Sequence, residues 1–216
     1  GISFGLMDWD TIIDDKGTFS LPGRDRVYRD WAWTPKNPGG QGKVDLRRAI
    51  YRSSNIYFYD VASRMDIGRL ASFTEQFGFG KKLISDFPSV VTGLVPNEEW
   101  KLKVRGEKWY QGDTVNLGIG QGDLLVTPVQ VAYLAATIAN RGELVDLKMV
   151  RSIPISASVD AGEYSRTSSR QVPGLAPLDW ERMAEAMEDV VHLGGQGYGN
   201  NGTAWAYIGQ NIPYRM

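Results

Sequence analysis

Through its first forty residues the chain shows no helical repeat of apolar positions. Short apolar groups are cut by the turn signals Asp14-Asp15-Lys16-Gly17 and Leu21-Pro22-Gly23, so loop and short strand are expected there. The stretch Trp31–Gly40 holds two prolines and two glycines, which exclude regular structure. Helical spacing begins after Asp45, a good N-cap for Leu46 to Arg52. A second helix is expected over Ile56–Met65, where Tyr57, Phe58 and Tyr59 stand beside Val61 and Ala62. A third is expected over Ile67–Phe77, with Leu70, Phe73, Thr74 and Phe77 on one face and Gly78 as its stop. Gly80–Asp113 reads as irregular and turn-rich. Thr114–Ile119 alternates weakly and predicts a strand. Thr127-Pro128 then supplies an N-cap and a proline at the first helical position, opening a helix over Val129–Asn140 that Gly142 ends. Leu147–Ile155 is expected as a strand, and Asp179 as the cap of a helix to His192 with Met183, Met187, Val190 and Val191 facing inward. Residues 156–173, rich in Ser, Gly and Arg, and the glycine-rich residues 194–202 are expected to be mobile loops. The fold class read from this pattern is mainly α with few strands.

Composition narrows the function. With 24 Lys+Arg against 25 Asp+Glu the net charge is −1, so no basic field draws in nucleic acid or an anionic membrane surface. The absence of cysteine excludes disulfides and thiolate metal sites and suits an oxidising compartment. The single histidine, His192, leaves one possible member for a histidine relay. The apolar run Val131–Ala139 is far shorter than the roughly 20 residues that span a bilayer, and no signal-peptide pattern opens the chain. A length of 216 residues suits one domain or one large subdomain.

Candidate chemistry is sparse. Ser53-Ser54-Asn55 lies between two helical patterns. Residues two apart on one continuous helix point away from each other, so Ser53 and Asn55 converge only if the helix breaks and the tripeptide forms a turn, which Ser and Asn favour. The triplet is then either a hydroxyl that relays a proton beside an amide that orients a substrate, or an ordinary helix connection; alone it barely exceeds chance. Gly118-Ile119-Gly120-Gln121-Gly122 offers either a backbone edge that a ligand approaches closely or a tight turn. It is no dinucleotide fingerprint, because the next helix begins only at Pro128. Gly40-Gln41-Gly42-Lys43 mimics the end of a phosphate loop but has Asn37 and Val44 where Gly and Ser or Thr are needed. Asp14, Asp15 and Asp30 read as surface turn carboxylates, since no Cys or nearby His joins them as metal ligands. His192 suits the C-terminus of its helix. The seven tryptophans fit a buried core better than sugar stacking.

Three longer strings change the picture. Gly42-Lys43-Val44-Asp45-Leu46 through Ser53-Ser54-Asn55-Ile56-Tyr57-Phe58-Tyr59, Trp109-Tyr110-Gln111-Gly112-Asp113-Thr114 through Gly118-Ile119-Gly120-Gln121-Gly122, and Thr127-Pro128-Val129-Gln130 through Ala139-Asn140-Arg141-Gly142 occur in this order. Together they resemble the transpeptidase domain of class B penicillin-binding proteins, most of all the elongation-type penicillin-binding protein 2 group. Phe19-Ser20-Leu21-Pro22-Gly23 and the tail Asn211–Met216 are similar to that group as well. The string Trp109–Asp113 favours the elongation type over the septal type, which stays as the alternative within the family; a non-catalytic interaction or glycan-binding module is the alternative outside it.

The resemblance implies a helical subdomain of the α/β penicillin-binding, serine β-lactamase-like fold. It implies a peptidoglycan D,D-transpeptidase that cross-links stem peptides by serine acyl transfer and binds β-lactams, at the periplasmic face of the bacterial inner membrane, with cell-elongation membrane partners and no nucleic acid. The family combines Ser-x-x-Lys, Ser-x-Asn and Lys-Thr/Ser-Gly. Ser53 and Asn55 match the middle motif as catalytic residues, and Gly118, Gly120, Gln121 and Gly122 are the expected substrate-binding stretch. No serine here has Lys three positions on, and no Lys precedes Thr-Gly or Ser-Gly. The resemblance places those motifs before residue 1 and after residue 216, so residues 1–216 are read as a partial, central transpeptidase domain that is inactive in isolation. It also implies that apolar surface is left uncovered, notably on the helix Asp179–His192, with self-association as the consequence. Some family members hold zinc at positions that match Asp15, Asp30, Gln41 and Ser54; with an amide and a hydroxyl in place of the two strong ligands, no metal or other cofactor is expected.

Overall fold

The computed structural model describes every residue except 85, 87–89, 150–169, 198–199 and 210–216. Most of the segment 156–173, two residues of 194–202, the last six residues of the strand expected at Leu147–Ile155 and the tail 211–216 therefore lie outside the described residues. After a 3₁₀ turn over Ile2–Phe4 come four three-residue strands: β1 (Ile13–Asp15), β2 (Thr18–Ser20), β3 (Val27–Arg29) and β4 (Gly42–Val44). Then come α1 (Leu46–Tyr51), α2 (Asn55–Ser63), α3 (Ile67–Gln76), α4 (Glu98–Arg105), α5 (Gln111–Leu117) and α6 (Pro128–Ala139). The short strands β5 (Glu143–Leu144) and β6 (Arg170–Gln171) precede α7 (Pro177–His192). All three strand pairs among the described residues are antiparallel and two-stranded: β1 with β4, β2 with β3, and β5 with β6. The expected reading, mainly α with few strands, holds.

The chain divides into two compact units. The first gathers residues 1–69, 97–122 and 174–216. Here α1 packs on α7 and α2 on α5. The aromatic string of α2 serves two cores at once. Tyr57 and Val61 join Trp9, Val44, Ala49 and Ala186 on one side, while Ile56 and Tyr59 join Leu21, Tyr28 and Val115 on the other. A helix buried on opposite faces reads as apolar nearly all round. Burial pushes the Tyr57 hydroxyl, which donates to Thr11 O at 3.2 Å, up to about 12. A raised acid binds its proton more tightly when folded, so this stability is whole below the ordinary value of 10 and is lost as pH rises toward 12. Tyr57→Phe is expected to cost about 1 kcal/mol at neutral pH. Its deficit against wild type should then narrow between pH 10 and 12, as read from thermal melts along that series.

The second unit, residues 70–96 and 123–173, is organised by a buried amide. Gln130 opens α6 in a capping box with Thr127. Its Nε2 donates to Thr92 O at 2.7 Å and Gly78 O at 3.1 Å, and its Oε1 accepts Thr127 N–H at 2.9 Å. One side chain thus satisfies the backbone of two loops that would otherwise bury unpaired carbonyls.

The structure corrects four expectations. Thr114–Ile119 is no strand: α5 covers Gln111–Leu117, and the period-two spacing of Val115 and Leu117 reflects a short helix buried on more than one side. The stretch Gly80–Asp113 contains α4, capped by Asn97 and stopped by left-handed Gly106. Asp179 is not the N-cap of α7 but its third residue, whose carboxylate accepts the N–H of Ala176 at 2.8 Å. The apolar face of α7 is only partly open: Trp180, Ala186 and Val191 are buried, Met183, Met187 and Val190 are half-buried, and Leu178 is exposed. Exposed valines also occur on α6, at Val129 and Val131.

Candidate active site

Ser53-Ser54-Asn55 is a break between two helices. The Ser53 N–H donates to Ile50 O at 3.1 Å and the Ser54 N–H to Ala49 O at 3.0 Å. These are the paired bonds of a Schellman closure, with Ser53 at its left-handed position, φ 53°. The next residue starts the following helix: Ser54 is the N-cap of α2 and its Oγ accepts the Tyr57 N–H at 3.2 Å. Ser53 and Asn55 therefore do not share one helical spiral. Ser53 is exposed, Asn55 is half-buried, and Ser54 between them is fully buried. The Asn55 carboxamide forms no hydrogen bond among the described residues.

Beneath the turn lie two carboxylates that the sequence alone placed on the surface. Asp15 and Asp30 are 2% and 3% exposed; only Asp14, paired with Lys16 at 3.7 Å, is a surface carboxylate. The two buried acids are used alike. Each closes its own turn with Oδ1, Asp15 on the Gly17 N–H at 2.8 Å and Asp30 on the Ala32 N–H at 2.9 Å. Each then holds the motif with Oδ2: Asp15 accepts the Ser54 hydroxyl at 2.8 Å, and Asp30 the Asn55 N–H at 2.9 Å. Gln41 Nε2 adds donors to Asp30 at 3.3 and 3.4 Å. Burial pushes the Asp15 carboxyl above its ordinary range; the Ser54 hydroxyl and the Gly17 N–H oppose that rise, and the charge of Asp30 adds to it.

A third wall is Arg52. Its guanidinium lies over the Trp31 ring at 5.6 Å and donates to Asn201 O at 2.8 Å, while Trp31 Nε1 donates back to Arg52 O at 3.1 Å. Thr203 N–H donates to Tyr51 O at 3.0 Å, and Thr203 Oγ1 is 3.4 Å from Ser53 Oγ. Trp31, Arg52 and Thr203 were not candidates from sequence. No sequence signal marks them; in the structure a Cβ at Gly202 would overlap the Asp189 and Val190 carbonyls, so the chain docks closely on α7 just before Thr203.

The stretch Gly118–Gly122 closes α5. The Gly120 N–H donates to Leu117 O at 2.9 Å and the Gln121 N–H to Asn116 O at 3.0 Å, with Gly120 left-handed at φ 73°. Gly118 meets α2: a Cβ there would overlap that of Ala62. Gly120, Gln121 and Gly122 are exposed. Among the described residues none of the four is hydrogen-bonded to Ser53 or Asn55. The four positions matched to zinc do come together, but their donors do not fit it. The carboxylate oxygens already accept N–H and O–H groups, and the remaining positions supply a neutral amide and a hydroxyl rather than imidazole or thiolate.

Residues 2–209 match the family described as the penicillin binding protein transpeptidase domain. The chain belongs to that family. It is 37% identical over 199 residues to the peptidoglycan D,D-transpeptidase MrdA of Acinetobacter baumannii, which covers 90% of this chain and 28% of the relative. It resembles the crystal structure of Pseudomonas aeruginosa PBP2 in complex with WCK 5153, with TM-score 0.79 and 36% identity over 99% of this chain and 45% of that one. A Helicobacter pylori PBP2 solved as a complex with MreC matches at TM-score 0.71 and 26% identity, covering 94% of this chain and 35% of that one. The chain thus spans under a third of the first curated relative's length. These names agree with the elongation type expected from Trp109–Asp113 and go against the septal alternative. The few-stranded helical body is the fold of a fragment of the family's transpeptidase domain.

Proposed function

We propose that this chain is the central part of a periplasmic peptidoglycan D,D-transpeptidase of the elongation type, and that Ser53 and Asn55 are its middle catalytic motif. The reading is carried by the helix break at Ser53, which removes the two side chains from a shared spiral and is held from below by two buried carboxylates. Acyl transfer needs a hydroxyl nucleophile relieved of its proton. The family resemblance puts that nucleophile in a Ser-x-x-Lys segment outside these residues. Ser53 Oγ then passes the proton between amine and leaving group, and the Asn55 carboxamide holds the stem peptide's amide. The exposed backbone of Gly120–Gly122 is the proposed rim for the peptide, while Gly118 serves the α5–α2 contact. A membrane partner of the MreC kind is proposed by likeness to the Helicobacter pylori complex.

A labelled penicillin separates the parts of this reading. The full-length protein should be acylated in one-to-one proportion, and the isolated 216-residue chain should not be labelled at all. Covalent labelling of the isolated chain, or none of the full-length protein, would overturn it.

A further inference from the structure

Thr203 stands 150 residues from Ser53 in sequence and 3.4 Å from it in space. Its place is set by the backbones of two helices. The N–H of Thr203 takes up the Tyr51 carbonyl at 3.0 Å, one of the carbonyls that the end of α1 leaves without an intrahelical partner. On either side of it, the Gly202 N–H donates to Leu193 O at 2.8 Å and the Ala204 N–H to Val190 O at 2.9 Å, at the end of α7. Arg52 Nη1 fastens Asn201 O at 2.8 Å. Gly202 has no room for a Cβ against the α7 carbonyls, so the approach is close enough to require glycine. A threonine on so constrained a backbone has few side-chain rotamers, and its hydroxyl is held in place.

Ser53 is the opposite case. It is exposed, and the Thr203 hydroxyl is the one hydrogen-bond partner of its side chain among the described residues. A serine hydroxyl has one proton and two lone pairs. If Ser53 donates to Thr203, its lone pairs face away toward solvent; if it accepts, its proton does. We propose that Thr203 is a positioning residue of the active site, whose hydroxyl fixes the rotamer and the donor direction of the Ser53 hydroxyl during proton transfer. The proposal rests on the reading of Ser53 as a catalytic relay. A separation of 3.4 Å is long for this bond, as is common before substrate tightens a site.

The test is the rate of acylation of the full-length protein by a fluorescent penicillin, for Thr203→Val, Thr203→Ser, Ser53→Ala and the double variant Ser53→Ala/Thr203→Val. Loss of orientation in Thr203→Val should slow acylation about 10-fold, with Thr203→Ser close to wild type. The double variant should be no slower than Ser53→Ala alone, because a residue that acts through another has no separate effect once that other is gone. Thr203→Ala serves in its place if Thr203→Val does not fold, as judged by its thermal midpoint. Wild-type rates in Thr203→Val, equal damage in Thr203→Ser, or independent losses in the double variant would overturn the proposal while leaving Ser53 in its role. Unchanged acylation in Ser53→Ala would overturn both.

Discussion

Asp30→Ala is expected to lower the stability of the full-length protein's transpeptidase domain by about 3–5 kcal/mol. The carboxylate is 3% exposed and accepts from three groups: the Ala32 N–H at 2.9 Å, the Asn55 N–H at 2.9 Å and Gln41 Nε2 at 3.3 Å. Alanine removes the acceptor and leaves the donors in place. Hydrogen bonds to a charged group contribute roughly 1.5–3 kcal/mol each, and a buried donor left unpaired costs its desolvation. Part of the loss is returned because a buried charge also disappears, which keeps the total below the sum of three. For a domain of 150–250 residues each kcal/mol moves the midpoint by about 2–4 °C, so thermal melts resolve the effect easily. Asp30→Asn keeps one oxygen and should cost less than half as much. A fall under about 1 kcal/mol in Asp30→Ala would mean that the carboxylate does not anchor the turn.

The same residue shows what the sequence conveys and what it withholds. Asp15 and Asp30 stand in polar, turn-forming surroundings, and a carboxylate in such a place is normally solvated. Their burial comes from partners 39 and 25 residues away, Ser54 and Asn55, and no local pattern announces a donor at that range. The family likeness grouped Asp15 and Asp30 with Gln41 and Ser54, and the structure brings those four together. Elements with strong caps were legible to within a residue or two: α1 from Asp45, and α6 from Thr127-Pro128. Helices α4 and α5 were not. α5 has seven residues, fewer than two turns, too few to distinguish periods of 2 and 3.6. α4 carries all its end signals, namely Asn97, the acidic pair Glu98-Glu99, basic Lys103 and Arg105, and Gly106. Its only buried residue, however, is Lys101, bound to Asp113 at 2.6 Å, so no apolar stripe marks it. Thr203 was invisible for a further reason: its partnership with Ser53 depends on how the ends of α1 and α7 dock.

Ser53→Gly separates a catalytic serine from a mere connector. At φ 53° a serine sits where the Cβ crowds the following carbonyl, at a cost of roughly 1–2 kcal/mol. Glycine escapes that cost but loses about 0.5–1 kcal/mol of chain entropy on folding. The balance predicts that Ser53→Gly leaves stability unchanged or raises it by up to about 1 kcal/mol. The chain offers its own comparison, because α5 ends in the same pair of backbone bonds with Gly120 in the left-handed position. If Ser53 only joined two helices, glycine would be an improvement without penalty. If Ser53 is the proton relay proposed above, acylation of the full-length protein by β-lactam should fall by about 100- to 10,000-fold in Ser53→Gly and Ser53→Ala alike, the range of general acid–base contributions. Stability and acylation should thus part company at one residue, the pattern expected where local strain is kept for chemistry. A Ser53→Gly protein that melts no lower than wild type and still acylates at the wild-type rate would reduce the motif to a turn.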